Sequence, residues 1–380
     1  MKVLFLARNN LLTNPGGDTT QILATREELV KRGVEVRLEL VSDGQCTLPR
    51  SMLKAFDLVH AFNLLLVHQY RSSLREARSE GIPVVLSPIY WDMETYEERG
   101  GAVALWKKAI LFLARQLNGP RIAKLLERRL KSVHYNPYFR RCLSNVLANA
   151  DLILPNSMIE AEMLRERFGT QSPMLIVRNG CRFLDGEMNL PDGVPAEYIL
   201  CVGRIERRKN QRTLIRAMEG IDMPLILLGN VNMAERAYWS QCQFESRKFR
   251  VRLYHYGGRP WEETWPFFAS ARIHAQPSWF ETPGLTSLEA AAAGCRIVCT
   301  QYGSASEYFG DEAIYCDPAS VQSVRDALMR ALSDTRPTTP LRERVRARYT
   351  WSATAEQTIR AYRTLIRNYE QIPALTDAFV

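Results

Sequence analysis

Long apolar runs, paired cysteines and internal repeats are missing from this sequence, and each absence excludes a class of protein. No stretch approaches the ~18–20 consecutive apolar residues of a membrane-spanning helix. The eight cysteines are scattered and form no Cys-x-x-Cys pair, so we expect buried free thiols in a reducing cytoplasm and no cysteine metal site. Met1–Arg8 lacks the pattern of a cleaved signal peptide and predicts a first strand instead.

Acidic residues are almost absent from the window Leu105–Arg141, whose only acid is Glu127. Its basic residues are Lys107, Lys108, Arg115, Arg121, Lys124, Arg128, Arg129, Lys131, Arg140 and Arg141. Leucine and isoleucine recur between them at roughly helical spacing, which predicts a basic helical insertion over 102–141, broken at Asn118-Gly119-Pro120. Such helices either present a solvated face or dock on an anionic membrane surface. Nucleic acid is disfavoured, because no binding motif accompanies the charge.

Length and periodicity indicate two α/β domains. The 380 residues are enough for two domains, and the 46% hydrophobic content suits two buried cores. Short apolar runs alternate with helical patterns in both halves, which predicts a parallel sheet in each. The Gly- and Pro-containing segment Cys181–Glu197 is the predicted linker. The predicted strands are 2–8, 34–41, 57–63, 82–88, 150–157, 174–178, 198–202, 223–229, 251–257, 273–277, 295–300 and 313–318.

One stretch, Ser278–Gly294, concentrates the unusual features of the second half. It joins two predicted strands, so Gly284–Ala293 is expected to be a short connecting helix. Pro283 is expected in the first turn of that helix, where a missing N–H is tolerated, and Gly294 is expected at its end. Leucines and alanines cover nearly all of the helix, which predicts that it is packed on several sides.

Two carboxylates flank the start of this helix. Glu289 is the only acid on the apolar helix, and burying it is costly unless a partner hydrogen-bonds it. Glu281 lies eight positions earlier, in the preceding loop. The helix start at Gly284, Leu285 and Thr286 offers backbone N–H groups and a positive dipole end, which attract phosphate. A phosphate cradle with two hydroxyl acceptors is the combination that a nucleotide sugar requires.

A second motif begins the second half. A buried strand ends at Gly203-Arg204, and Lys209 follows five residues later at a predicted helix start. This spacing aims two cations at one point, and a diphosphate is the ligand that suits them.

Both motifs resemble those of retaining GT-B glycosyltransferases, in particular glycosyltransferase family 4. The resemblance lies in a Glu-x7-Glu signature over Phe280–Ala290 and in the Gly-Arg-x4-Lys-Asn run of 203–210. It implies a GT-B fold, in which two Rossmann-like domains face each other across a cleft. The domains are expected at 1–185, on the acceptor side, and at 196–352, on the donor side. A C-terminal helix over 353–380 is expected to pack back on the first domain.

The resemblance also implies roles for single residues. Glu289 is expected to accept from the ribose hydroxyls and Glu281 from hydroxyls of the donor sugar. Arg204 and Lys209, with the backbone N–H groups of the helix start, are expected to stabilise the leaving diphosphate. Gly203 belongs to the same phosphate site.

Three further positions follow from the resemblance. A Gly16-Gly17 loop after the first strand is expected to face the donor phosphates and the acceptor. The strand end at Tyr256 is expected to receive the nucleobase. Many relatives place a histidine where this chain has Tyr90-Trp91-Asp92. Here Asp92 or Tyr90 is expected to touch sugar hydroxyls and Trp91 to stack on a sugar ring, or else the segment is a structural lid.

The expected activity is transfer of a sugar, with retention, from a UDP- or GDP-linked donor to a glycan or lipid-linked acceptor in cell-surface polysaccharide biosynthesis. The sequence contains no Asp-x-Asp, so no metal and no cofactor are expected. The alternatives are an epimerase or phosphorylase of the same fold, or a non-catalytic nucleotide-sugar-binding subunit. The expected location is cytoplasmic, peripheral on the inner face of the membrane.

Overall fold

The computed structural model describes four stretches of the chain, which are residues 1–41, 48–99, 137–186 and 190–371. They form two α/β units. The first unit comprises the described residues within 1–90, 133–180 and 350–380, and the second comprises those within 91–132 and 181–349. The predicted insertion over 102–141 therefore lies outside the described residues, apart from its last five positions, which begin a helix. None of the described helices is long and apolar enough to cross a membrane.

The strands follow the predicted order along the chain. They are β1 (Lys2–Arg8), β2 (Glu35–Val41), β3 (Leu58–Phe62), β4 (Val84–Ser87), β5 (Leu152–Ile153), β6 (Ile199–Val202), β7 (Leu225–Leu228), β8 (Leu253–Tyr256), β9 (Ile273–Gln276), β10 (Arg296–Thr300) and β11 (Ile314–Cys316).

The described helices connect these strands. They are α1 (Gly17–Lys31), α2 (Arg50–Leu53), α3 (Arg71–Ser79), α4 (Glu94–Arg99), α5 (Pro137–Asn149), α6 (Met158–Phe168), α7 (Gln211–Ala217), α8 (Arg236–Lys248), α9 (Trp261–Ser270), α10 (Leu285–Ala293), α11 (Ala305–Phe309), α12 (Val321–Ser333), α13 (Thr339–Arg348) and α14 (Trp351–Gln371).

The first unit is a five-stranded parallel sheet in the order β2-β1-β3-β4-β5. Alternate residues of β1 enter two cores, as a sheet covered on both faces requires. Leu4 and Leu6 pack with α3, α5 and α6, whereas Phe5 packs with α1 and α14. The Tyr362 hydroxyl of α14 lies 2.5 Å from Nδ1 of the buried His60 on β3, whose Nε2 lies 2.9 Å from Ser87 Oγ. His60 is thus a core residue of the sheet.

The second unit is a six-stranded parallel sheet in the order β11-β10-β9-β6-β7-β8. Leu200 and Val202 of β6 face the core under α9, α10 and α13, whereas Ile199 and Cys201 face the core under α7, α8 and α12. The carboxyl ends of β6, β7 and β9 therefore lie along one edge of the sheet, which is where ligands bind in open parallel sheets.

The predicted strands at 150–157 and 174–178 are wrong in extent. The structure has the two-residue β5 and an isolated bridge from Ile153 to Met174. Leu175 N–H donates to Ile153 carbonyl and Val177 N–H donates to Pro155 carbonyl. Pro155 has no N–H to return to the Leu175 carbonyl, so the ladder is interrupted at this point.

Residues 91–99 group with the second unit, although the sequence placed them in the first domain. The described cysteines are free and buried, as predicted; they are Cys142, Cys181, Cys201, Cys242, Cys295, Cys299 and Cys316. Cys46 and the predicted end of the last helix, 372–380, lie outside the described residues.

Candidate functional site

The strand ends of β6 and β7 approach each other so closely that only glycine fits. Gly203 follows β6 with φ +145° and Gly229 follows β7 with φ +150°. A Cβ on Gly229 would lie 2.2 Å from the Gly203 carbonyl oxygen. Both positions therefore require glycine for conformation, and Gly229 also requires it for space. The backbone at the start of the Gly-Arg motif is thus constrained, and this fixes the position of the Arg204 backbone.

The structure brings Lys209 and Glu281 together. Lys209 Nζ lies 2.6 Å from Glu281 Oε1, and the two side chains are 12% and 10% exposed. Burial acts to raise the pKa of Glu281, but the charges of Lys209 and Arg208 overcome it and hold that pKa at about 2. Burial lowers the pKa of Lys209 from 10.5, and the adjacent carboxylate opposes that change. Glu281 is therefore ionised at neutral pH.

Backbone bonds fix the position of Glu281. Its N–H donates to the Tyr302 carbonyl at 3.2 Å, and its carbonyl accepts from Ser304 N–H at 3.0 Å. Gly303 has φ +119°, and a Cβ there would lie 2.0 Å from the Glu281 carbonyl oxygen. The buried amide of Gln276, on β9, lies 3.4 Å from Glu281 Oε1. The carboxylate is therefore held from two neighbouring strand ends.

Two arginines and a second buried acid extend this ion pair. Glu206 is buried, with Arg204 Nε 3.4 Å and Arg208 Nη2 3.3 Å from its carboxylate oxygens. Arg208 Nη1 also lies 3.9 Å from Glu281 Oε1, and the guanidinium covers the Phe280 ring at 5.3 Å. The cations Arg204, Arg208 and Lys209 thus alternate with two acids and outnumber them by one. Arg208 was not predicted from the sequence.

Glu289 is buried, as predicted, and has a partner that the sequence did not indicate. Its carboxylate is 7% exposed, and Oε1 accepts from the indole N–H of Trp261 at 2.9 Å. Burial raises the pKa of Glu289 to about 8, against the Trp261 hydrogen bond and the charge of Arg182. Among the described residues, Glu289 is neither turned to solvent nor joined in an ion pair with an arginine or lysine.

The helix between the two acids begins one residue later than predicted. Gly284 is its N-cap with φ +89°, and α10 starts at Leu285. Pro283 therefore precedes the cap and is not in the first turn, because the left-handed turn at Gly284 separates it from the helix. Gly294 ends the helix with φ +101°, as predicted. Leu285 and Thr286 are half-buried at the start, where helical N–H groups lack intrahelical partners.

A buried histidine lies under the first turn of α10. His274 Nδ1 is 3.4 Å from the hydroxyl of Ser287, and neither side chain is exposed. Burial, with a contribution from the charge of Lys209, lowers the pKa of His274 to about 3. The imidazole is therefore neutral, and it adds no charge to the phosphate cradle.

Tyr256 is the last residue of β8, the strand end that is predicted to receive the nucleobase. Its carbonyl accepts from Gly229 N–H at 2.9 Å, and its ring packs on Phe267 at 5.2 Å between centroids. Arg259 lies over the ring at 5.6 Å. The half-buried Tyr256 side chain therefore lies at the carboxyl end of β8, next to Gly229.

Residues 91–99 cover the loop that carries Glu281. Trp91 stacks on Phe280 with centroids 6.4 Å apart, and Tyr96 lies 6.2 Å from Trp279. Arg99 Nη2 lies 3.2 Å from Asp317 Oδ2. Asp92, half-buried, belongs to this same covering segment.

Tyr90 belongs to the first unit. Its buried ring packs on Phe168 at 5.4 Å, and its N–H donates to Glu160 at 2.6 Å. A contact between Tyr90 and a sugar hydroxyl is therefore not supported, because the phenol is part of the first unit's core.

The Gly16-Gly17 loop belongs to the first unit and is fixed by a buried ion pair. Gly16 is the N-cap of α1, and its N–H donates to Thr19 Oγ1 at 3.0 Å. Arg8 is 8% exposed and donates to both carboxylate oxygens of Asp18, at 2.8 and 3.0 Å. Burial acts to raise the pKa of Asp18, but the Arg8 bonds and charge lower it overall. Arg8 Nη2 also donates to the carbonyl of Asn14 at 2.8 Å, which orders the loop.

Comparison with known proteins gives a partial sequence match and a fold match. Residues 192–349 match the family model described as glycosyl transferases group 1. The chain is 31% identical to the O-antigen chain mannosyltransferase B of Escherichia coli over 177 residues. This match covers 44% of this chain and 46% of that relative. Over 188 residues it is 29% identical to the N-acetylgalactosamine-N,N'-diacetylbacillosaminyl-diphospho-undecaprenol 4-alpha-N-acetylgalactosaminyltransferase of Campylobacter jejuni, over 47% of this chain and 50% of that relative. The matches span about half the length of these two relatives.

A crystal structure of HepE from Anabaena in complex with UDP-glucose matches 96% of this chain and all of its own, with a TM-score of 0.68 and 16% identity. At that identity the similarity concerns the fold alone. The predicted GT-B fold and the predicted resemblance to GT-B glycosyltransferases are thereby confirmed.

Proposed function

We propose that this GT-B protein, with its group 1 glycosyltransferase segment at 192–349, moves a sugar from a nucleotide-sugar donor to a glycan or lipid-linked acceptor. The observation that carries the proposal is the pair of buried acids flanking α10. Glu281 is ion-paired with Lys209 next to Arg208, whereas Glu289 accepts a hydrogen bond from the uncharged indole of Trp261. A diphosphate linked to a ribose suits that asymmetry.

The cations are proposed to bear the charge of the leaving diphosphate. Arg204, Arg208 and Lys209 are ordered by Glu206 and Glu281 before any ligand arrives. Preorganised charges need no rearrangement when negative charge develops, which makes them effective in catalysis. The N–H groups at the start of α10 add to the same cradle. In this proposal the donor needs neither a metal nor a cofactor, so transfer proceeds in the presence of EDTA.

The two acids are proposed to orient the donor. Glu289 accepts from the ribose hydroxyls, and Glu281 accepts from hydroxyls of the transferred sugar. Asp92, on the segment that covers the Glu281 loop, is proposed to contact the same sugar. None of these acids is proposed as a nucleophile. We favour front-face attack by the acceptor hydroxyl, which forms the new glycosidic bond as the bond to the diphosphate breaks. The departing phosphate then takes the acceptor's proton, and the anomeric configuration is retained.

The relatives suggest the classes of donor and acceptor. The Campylobacter jejuni relative is described as acting on a sugar linked to diphospho-undecaprenol, and the Escherichia coli relative as building an O-antigen chain. The Anabaena structure contains UDP-glucose. A UDP- or GDP-linked donor, a lipid-linked acceptor and a role in surface polysaccharide biosynthesis on the cytoplasmic face of a membrane follow by analogy.

A donor screen followed by a transfer assay tests the proposal. Thermal shifts against UDP-, GDP- and ADP-sugars are expected to identify one nucleotide series that stabilises the protein. Product analysis with that donor is expected to show transfer only when an acceptor is present, and with EDTA added. Release of an epimerised nucleotide sugar without acceptor, a requirement for phosphate as acceptor, or binding without turnover would each replace the proposal by one of the alternatives.

A further inference from the structure

Trp261 is the first residue of α9, and its indole is the hydrogen-bond donor to Glu289. The Nε1–Oε1 distance is 2.9 Å, and the acid is 7% exposed. A carboxylate has about four lone-pair sites on two oxygens, whereas an indole N–H is a donor only. Trp261 therefore engages Oε1 and leaves Oε2 as the acceptor for another group.

The indole is itself held in place. Trp261 follows Pro260, and its ring lies 5.5 Å from the ring of Trp265, which is 2% exposed in the core of the second unit. Upstream of Pro260 lies the short turn that leaves β8, where Gly258 N–H donates to Asn230 Oδ1 at 2.8 Å. The Trp261 side chain thus connects the turn that follows Tyr256 at the end of β8 to Glu289 on α10.

We propose that Trp261 is a positioning residue for nucleotide binding. It holds the Glu289 carboxylate in the orientation in which Oε2 accepts from the ribose hydroxyls, and it couples that orientation to the turn that follows Tyr256. This inference rests on the proposed function, because it requires a ribose to bind at Glu289.

Two other residues near Glu289, Arg182 and Cys181, must be distinguished from Trp261 in their effect on the Glu289 titration. The charge of Arg182 also favours the ionised carboxylate. The Cys181 thiol is near enough to feel the acid, but burial raises its pKa well above the ordinary value, so it stays neutral. Trp261→Phe keeps an aromatic ring beside the acid and leaves Arg182 and Cys181 in place, so a rise in the pKa of Glu289 is assigned to the lost indole N–H, whereas reduced burial would lower it.

Trp261→Phe is the test variant, and Trp351→Phe, at a buried tryptophan of the first unit, is its matched control. Calorimetric titrations use UDP, GDP and ADP, the 2′,3′-dideoxy form of the one that binds most tightly, and inorganic pyrophosphate. Without the indole N–H, Glu289 is no longer held in the orientation that accepts from the ribose, so Trp261→Phe is expected to weaken binding of the nucleoside diphosphate by about tenfold. Binding of the dideoxy form and of pyrophosphate is expected to be unchanged, and the control is expected to leave all three unchanged.

The pH dependence adds a readout that a purely structural role would not move. Ribose hydroxyls donate to the ionised acid, so nucleoside diphosphate affinity rises as pH rises through the pKa of Glu289. The indole N–H favours the ionised acid, so Trp261→Phe is expected to shift that midpoint to higher pH. In a Glu289→Gln background the same substitution is expected to cause no further loss.

Indole N–H resonances of the wild type give a measurement that needs no variant to fold. One of them is expected to titrate with Glu289 and to move on addition of the nucleoside diphosphate but not of the dideoxy form. Equal losses for both nucleotides, or unchanged affinity in Trp261→Phe, would overturn the inference and leave the proposed function standing. If the wild type binds neither a nucleoside diphosphate nor pyrophosphate, both are wrong.

Discussion

Lys209 is the residue whose loss is expected to lower activity most. Its ammonium is the direct partner of Glu281 at 2.6 Å, and it is proposed to stabilise the leaving diphosphate. Lys209→Ala is expected to lower kcat by about 10²–10³, as removal of a preorganised charge does elsewhere. It also leaves Glu281 buried without its main partner, which is expected to destabilise the fold by about 3–5 kcal/mol.

Steady-state kinetics on the folded fraction, with a thermal melt of the same sample, separate these two effects. Lys248→Ala is the control, since Lys248 is exposed on α8 and its ammonium lies over Phe249. Near-normal kcat in Lys209→Ala would refute the phosphate assignment.

Glu289 has a raised pKa, which predicts that the stability of the ligand-free protein depends on pH. Its folded pKa is about 8, above the ordinary 4.5, so the folded protein holds this proton more tightly than the unfolded chain. The corresponding stability is fully present below about pH 4.5 and is lost as pH rises through about 8. Glu289→Gln does not titrate. Its Tm is therefore expected to exceed that of the wild type by an amount that grows from pH 5 to pH 9. A difference in Tm that stays constant from pH 5 to pH 9 would contradict this prediction, because it would show that Glu289 is ionised in the folded protein throughout that range.

At the scale of elements, the tight crossing at Gly303 determines where Glu281 lies. Gly303 has φ +119°, and a Cβ would lie 2.0 Å from the Glu281 carbonyl oxygen. Gly303→Ala is expected to force the loop from Trp279 to Glu281 outward and to lower both Tm and kcat. Gly257→Ala is the stability control, because its Cβ would meet Asn230 at an ordinary 3.7 Å.

A Gly303→Ala variant with unchanged Tm would show that the loop yields without cost. Unchanged kcat in a destabilised variant would show instead that Glu281 does not need its present position. Measuring Tm and kcat on one preparation distinguishes these outcomes.

At the scale of the whole molecule, the remaining prediction concerns charge. The window at 105–141 has the same net charge as the whole chain, +9, and it is proposed to dock on an anionic membrane surface. Each Lys or Arg near such a surface contributes about 1 kcal/mol. Replacing Lys107, Lys108, Arg128, Arg129 and Lys131 together by Ser is expected to abolish flotation of the protein with anionic liposomes. Replacing five exposed arginines elsewhere by Ser, namely Arg236 and Arg247 of α8 and Arg360, Arg363 and Arg367 of α14, is the matched control. Flotation that survives the first change would refute docking.

The fold was predictable because its signals are local or periodic. Alternating apolar runs specified parallel sheets in both halves, and Gly294 marked the end of α10. Prediction failed where one residue's hydrogen-bonding capacity decided the outcome. Pro155 shortened a ladder, and a left-handed turn at Gly284 placed Pro283 outside the helix.

The sequence by itself identified four of the charged residues at the candidate site. Glu281, Glu289, Arg204 and Lys209 all stand in short motifs, where spacing along the chain predicts position on a strand end or helix. Only the tertiary structure decided their partners. Trp261 lies 28 residues from Glu289, and Lys209 lies 72 residues from Glu281, so no periodicity connects them. Packing of separate helices and loops brings them together, and the resulting burial and charge separate the pKa values of the two acids.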